Sequence, residues 1–158
     1  MCGTHATVRS LLGELVGATT RVTVADMEAG LEHLSRGTSR HVDTIVSVIE
    51  PYFKSLETGR RICELAAELG VPRVYAVANK VYPGPDDEAI RSFCDRHGLH
   101  LLAAIPHDEA FVEADRAGRA PLDIAPETRG VVEITRLAEL LEPQASNGRS
   151  DDGVAGRS

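Results

Sequence analysis

Three short, mostly apolar runs alternate along the chain with segments of helical periodicity. The runs are "VDTIVSVI" (42–49), "RVYAVA" (73–78) and "HLLAAI" (100–105). A further β-branched run, 21–25, ends at Asp26. None shows the strict apolar–polar alternation of a half-exposed strand, so each predicts burial on both faces. Between them, "KSLETGRRICELAAEL" (54–69) places Leu56, Ile62, Leu65, Ala66 and Leu69 on one helical face, and Gly70 stops it. "DDEAIRSFCDRH" (86–97) opens on acids that suit a helix N-terminus and is closed by Gly98. Further helices are expected over 4–17, around 108–117 and across 127–141. The pattern predicts an α/β fold with a parallel sheet of about four strands and flanking helices.

Ligands of such sheets gather at the C-terminal strand ends. Those ends are Asp26, Glu50, Asn79–Lys80 and Pro106. With 158 residues the chain suffices for one domain, read as 1–142. Residues 143–158 are rich in Gly, Ser and polar groups and are expected to be a disordered tail. The net charge of -7 argues against a nucleic-acid binder, which needs a basic face. No stretch approaches the ~20 apolar residues of a membrane span, and no secretory signal opens the chain. Cys2, Cys63 and Cys94 are widely spaced and odd in number, which fits reduced thiols in a cytoplasm.

Each strand end has a functional and an ordinary reading. Asp26 has the place of a carboxylate that holds a magnesium-bound water or positions an attacking one; Asp is also a common helix cap. Asn79 pairs a donor with an acceptor, as a purine edge requires, and Lys80 has a stem that can lie over a base. The ordinary reading is a polar pair ending a strand. Ile105, Pro106 and Asp108 form a turn whose backbone can clasp a ring, or simply a strand-to-helix connection. Cys63 and Cys94 lie on apolar helix faces and read as core. His33, His41, His97, His100 and His107 show no ligand spacing and read as solvated.

One absence matters as much. A phosphate loop of the form G-x-x-x-x-G-K-[ST] needs Gly backbone N–H groups and a Lys on the phosphates. The chain has only two lysines, Lys54 and Lys80, and neither follows such a glycine run.

The string "ADMEAGLEHLSRGT" resembles the segment after the magnesium-site strand in MinD/ParA-like P-loop ATPases, in particular the CooC type that assists nickel insertion into carbon monoxide dehydrogenase. The resemblance continues through "IVSVIEPYFKSLETGRRICELAAELG", "VYAVANKV" and "AAIPHDEAFVEADRAGRAP", covering residues 2 to about 140. It implies that Asp26 is the magnesium-side or switch acid. It also implies that Asn79 and Lys80 recognise adenine, and that Ile105, Pro106 and Asp108 close over the base. ATP and Mg2+ are the implied cofactors, both weakened or lost without a phosphate loop. The chain thus resembles the C-terminal part of such an ATPase, its first βα unit lacking.

The CooC type also carries a Cys-x-Cys element that binds metal between two subunits. By position Cys2 matches its second cysteine and Met1 its middle residue, so Met1 is expected to be an internal residue of a longer protein. One thiolate per subunit offers two ligands in a dimer, where zinc takes four; zinc or nickel at Cys2 is the corresponding expectation, against an exposed thiol. The implied partner is a second copy or a complementing phosphate-loop chain. Hydrolysis by this chain alone is expected to be negligible. The competing readings are a non-catalytic interaction module derived from such an ATPase, and a phospho-acceptor receiver domain. The receiver needs an acidic pair at an early strand end and a phospho-accepting Asp, and Asp26 has no second acid beside it at another strand end, though Glu28 is near in sequence.

Overall fold

The computed structural model describes residues 22–27 and 42–147, with side chains as far as 142. Strand β1 (Thr44–Ile49), helix α1 (Phe53–Glu68), β2 (Arg73–Val81), α2 (Pro85–His97) and β3 (Leu101–Pro106) follow in order. Helices α3 (Glu109–Arg116), α4 (Pro121–Ile124) and α5 (Arg129–Asn147) complete the chain. Two β–helix–β crossovers make a parallel sheet of order β1-β2-β3. All three apolar runs are strands, because a buried extended segment must pair its backbone N–H and C=O groups and finds them in a neighbouring run.

The residues on one sheet face are small where helices approach. Ile49, Ala76, Ala78 and Val81 join Leu56 of α1 and Ile90, Phe93 and Cys94 of α2 in one core cluster. Gly59 of α1 lies directly over β1, where a Cβ would overlap the Ile49 side chain. On the other face, α5 packs against β3. Gly98 caps α2 in the left-handed region, as its place in the sequence predicts. Cys63 and Cys94 are buried and free, and burial pushes both thiols up, so they are inert core groups.

The parallel sheet with flanking helices is as expected, with three strands among the described residues; the run at 21–25 needs correction. Residues 22–27 adopt neither strand nor helix and are exposed, Val24 by 87%. A β-strand exists only as a member of a ladder, and none of the described strands lies beside this run. Composition supplied strand propensity there, and pairing did not follow. Helix α5 also runs on to Asn147, past the expected end near 141. The expected helix over 4–17, Cys2, the loop after Met27 and the tail beyond 147 lie outside the described residues.

Candidate nucleotide-base site

Strand β2 changes character at its C-terminal end. Ala78 is level with Ala104 of β3, and Val81 with Pro106. Asn79 and Lys80 therefore face the single residue Ile105, which makes a β-bulge. Lys80 absorbs the extra residue with φ 56°, the only non-glycine positive φ among the described residues. The bulge returns Val81 to the face of Ala76 and Ala78, and it turns Asn79 and Lys80 out of the ladder at the C-terminal rim.

Lys80 then reaches sideways to the end of β1. Its Nζ lies 2.9 Å from Glu50 Oε1. This hydrogen bond and the carboxylate charge hold the ammonium above its ordinary range. The pair is exposed, with Lys80 at 59%, and such a pair contributes ~0–1 kcal/mol. A left-handed backbone costs a residue with a Cβ about 1–2 kcal/mol. Strain and pairing at best cancel, so the arrangement is not explained by stability. Strained residues of this kind cluster at functional sites.

The end of β3 lies alongside. The His107 N–H donates to the Val81 carbonyl at 3.0 Å, extending the ladder beyond Pro106. Tyr82 and His107 stack with centroids 4.6 Å apart and planes at 16°. Asp108 caps α3: its Oδ1 accepts from the Ala110 N–H at 3.0 Å. Its Oδ2 accepts from the Gly130 N–H, also at 3.0 Å, at the start of α5. These two backbone donors, Gly130 first, hold the Asp108 carboxyl below the usual range. The carboxylate is thus committed to the backbone, and what the loop offers a ligand is its fixed path.

The structure therefore brings Asn79, Lys80, Ile105, Pro106 and Asp108 to one rim. Asp26 is exposed in the 22–27 segment, and none of the described contacts ties it to that rim. Sequence reasoning missed the role of Glu50 as the partner of Lys80. His97 and His100 are exposed, as their solvated reading expects, and rest on Phe93 and Tyr75, whereas the half-buried His107 stacks on Tyr82. The "NKVYP" string next to "IPH" was the available signal for that stack.

No described loop offers the glycine-rich run of N–H groups that a triphosphate needs. No group of three or more His, Cys, Asp or Glu among the described residues is placed to hold a metal. A groove of about 240 Å³ lies along β3 between Arg91 of α2 and α5, another of about 280 Å³ lies between α2 and the start of β3, and neither contains a rim residue.

Comparison with known proteins decides the family. No family model matches the chain. It is 39% identical over 142 residues to the carbon monoxide dehydrogenase accessory protein CooC of Rhodospirillum rubrum, covering 90% of this chain and 53% of that protein. The chain belongs to the CooC-like family. An uncharacterised ATP-binding protein of Methanocaldococcus jannaschii is 33% identical over 142 residues, 89% of this chain and 54% of that one. Among solved structures, the septum site-determining protein MinD of Pyrococcus horikoshii, complexed with Mg-ADP, superposes with a TM-score of 0.72. It is 19% identical, and the match covers 93% of this chain and 60% of that one. A ParA family ATPase of Chlorobium tepidum gives 0.57 at 23% identity, over 70% of this chain and 46% of that one. These likenesses establish the fold. This CooC-type chain spans about half the length of the curated relatives it matches. None of its described helices is long and apolar enough to cross a membrane.

Proposed function

We propose that this chain carries the base-binding half of an ATP site and works with a phosphate-binding segment that lies outside these 158 residues. The observation that carries the reading is the β2 bulge, which presents Asn79 and Lys80 beside the Ile105–Asp108 turn in a CooC-type chain. Asn79 reads the purine edge, and the Pro106–Asp108 backbone closes over it. Magnesium and phosphate, when bound, supply the charge chemistry of phosphoryl transfer, for which positioning is most of catalysis. Asp26 is the acid proposed for the magnesium side.

The role supported by the CooC likeness is an ATP-driven dimer that serves metal-centre maturation or positions a partner in the cytoplasm. In that dimer Cys2 is the proposed thiolate for zinc or nickel. By itself the chain binds ATP weakly and hydrolyses none. A titration of fluorescent ATP with Mg2+ against wild type and Asn79→Ala tests the base site. The reading expects micromolar-to-millimolar binding that weakens about tenfold in the variant, the scale of one lost polar contact. Equal affinities would remove the base assignment, and turnover above background would remove the claim of inactivity.

A second reading is favoured by the open edge of β1. Strand β1 pairs only with β2 among the described strands, and Val48 is 61% exposed. An interaction module would use that edge and show no nucleotide-dependent thermal shift.

A further inference from the structure

We propose that Glu50 is a positioning residue of the base site: its carboxylate anchors the tip of Lys80, so that the Lys80 stem forms a fixed roof over a purine held by Asn79. The inference rests on the ATP-site reading and adds to it a residue that reading does not use.

Three observations carry it. The first is the bridge itself, Lys80 Nζ to Glu50 Oε1 at 2.9 Å, which spans the C-terminal ends of two neighbouring strands. The second is that Glu50 is held from both sides. Its N–H donates to Ser55 Oγ in the first turn of α1 at 2.9 Å, and its carbonyl accepts from the Tyr52 N–H at 2.8 Å. An anchor needs this rigidity, and an exposed glutamate making a chance contact does not have it. The third is that Lys80 keeps a left-handed backbone in return for a bond too exposed to stabilise the fold. Both features together aim the side chain.

The physical effect follows from the length of lysine. A free Lys samples many rotamers, and ordering it on binding costs affinity. Tying its tip down beforehand leaves the methylene stem as a preformed apolar cover. The ammonium stays near the rim, where it can also face a π-system. Glu50 therefore acts through Lys80 and touches no ligand.

A double-mutant cycle with the full chain tests this. The probe is ATP labelled on its ribose with an N-methylanthraniloyl group, in Mg2+, with unlabelled adenosine as a phosphate-free competitor. Glu50→Ala is expected to weaken both ligands about three- to fivefold, the most that an exposed ion pair can supply by holding one long side chain in place. Glu50→Gln keeps an acceptor and is expected to lose about two- to threefold. In a Lys80→Ala background, Glu50→Ala is expected to change affinity by less than about twofold. The thermal midpoint should move by under about 3 °C in every variant.

Wild-type affinity in Glu50→Ala overturns the Glu50 role and leaves the ATP reading standing. Additive effects in the two backgrounds, or a weakening matched by a large fall in midpoint, also overturn it. If wild type binds neither probe, both proposals fall.

Discussion

Asp108 shows at the residue scale how one side chain joins two elements. It satisfies the Ala110 N–H at the start of α3 and the Gly130 N–H at the start of α5, which lie far apart in sequence. Helix N-terminal donors have no partner within their own helix, so each bond removes a buried deficit. Because the folded carboxyl is held below its usual range, the contribution is present above the unfolded pKa. It is lost as pH falls through the folded value, that is, below about pH 4. Asp108→Ala is therefore expected to cost about 1–2 kcal/mol at neutral pH. The gap from wild type should shrink between about pH 4 and pH 2, read from urea midpoints in the two proteins. A gap that stays constant with pH would show that the charge of Asp108 does not matter. Lys80 has the opposite sign: its raised value makes any contribution of the Glu50 bridge present below about pH 10.4 and lost as pH rises beyond.

At the scale of elements, the junction of α1 and β1 sets how close the helix lies to the sheet. Gly59 sits in the middle of α1, where glycine is unfavourable by about 1 kcal/mol relative to alanine. Alanine would gain that propensity, but its Cβ would overlap Ile49, which is fully buried in the core. Overpacking of this kind costs ~1–3 kcal/mol. Overpacking outweighs propensity, and Gly59→Ala is expected to lower stability by up to about 2 kcal/mol, measured by chemical denaturation. The displacement should also reach the rim, since Ser55 of the same helix holds Glu50. Gly59→Ala combined with Ile49→Leu should recover part of the loss, because leucine lacks the Cγ2 methyl that the new Cβ would meet. The bulge in β2 is the other decisive element-scale feature. It is invisible to periodicity, because "RVYAVANKV" reads equally well as an unbroken strand or as a strand ending at Ala78.

For the whole molecule, the edge of β1 that has no partner among the described strands is the dominant fact. Parallel sheets are normally covered on both faces and flanked by further strands. Here Val48 stands at the surface next to an edge whose backbone groups have no described strand beside them. Under the proposed reading, the first half of a CooC-type relative supplied as a separate polypeptide fills this edge. The expected outcome is a thermal midpoint that rises with its concentration, by about 2.7 kcal/mol of stabilisation at a hundred times its dissociation constant. Mg2+-dependent ATP turnover should appear only in the mixture. A midpoint indifferent to the added half would count against complementation through this edge.

The alternation of apolar runs with amphipathic segments was sufficient to predict an α/β fold with a parallel sheet, and the CooC-type strings were sufficient to place the family. Both are local or linear properties: periodicity, capping glycines and the order of short motifs lie within reach of a sequence. What only the tertiary structure decided depends on neighbours. Residues 21–25 have strand composition, yet 22–25 form no strand, because ladder bonds come from a partner and not from propensity. Glu50 and Lys80 lie 30 positions apart and meet only because two parallel strands end side by side. The carboxylate of Asp108 is claimed by two helix starts for the same reason. A sequence specifies which groups are available for chemistry; packing decides which of them remain free to do it.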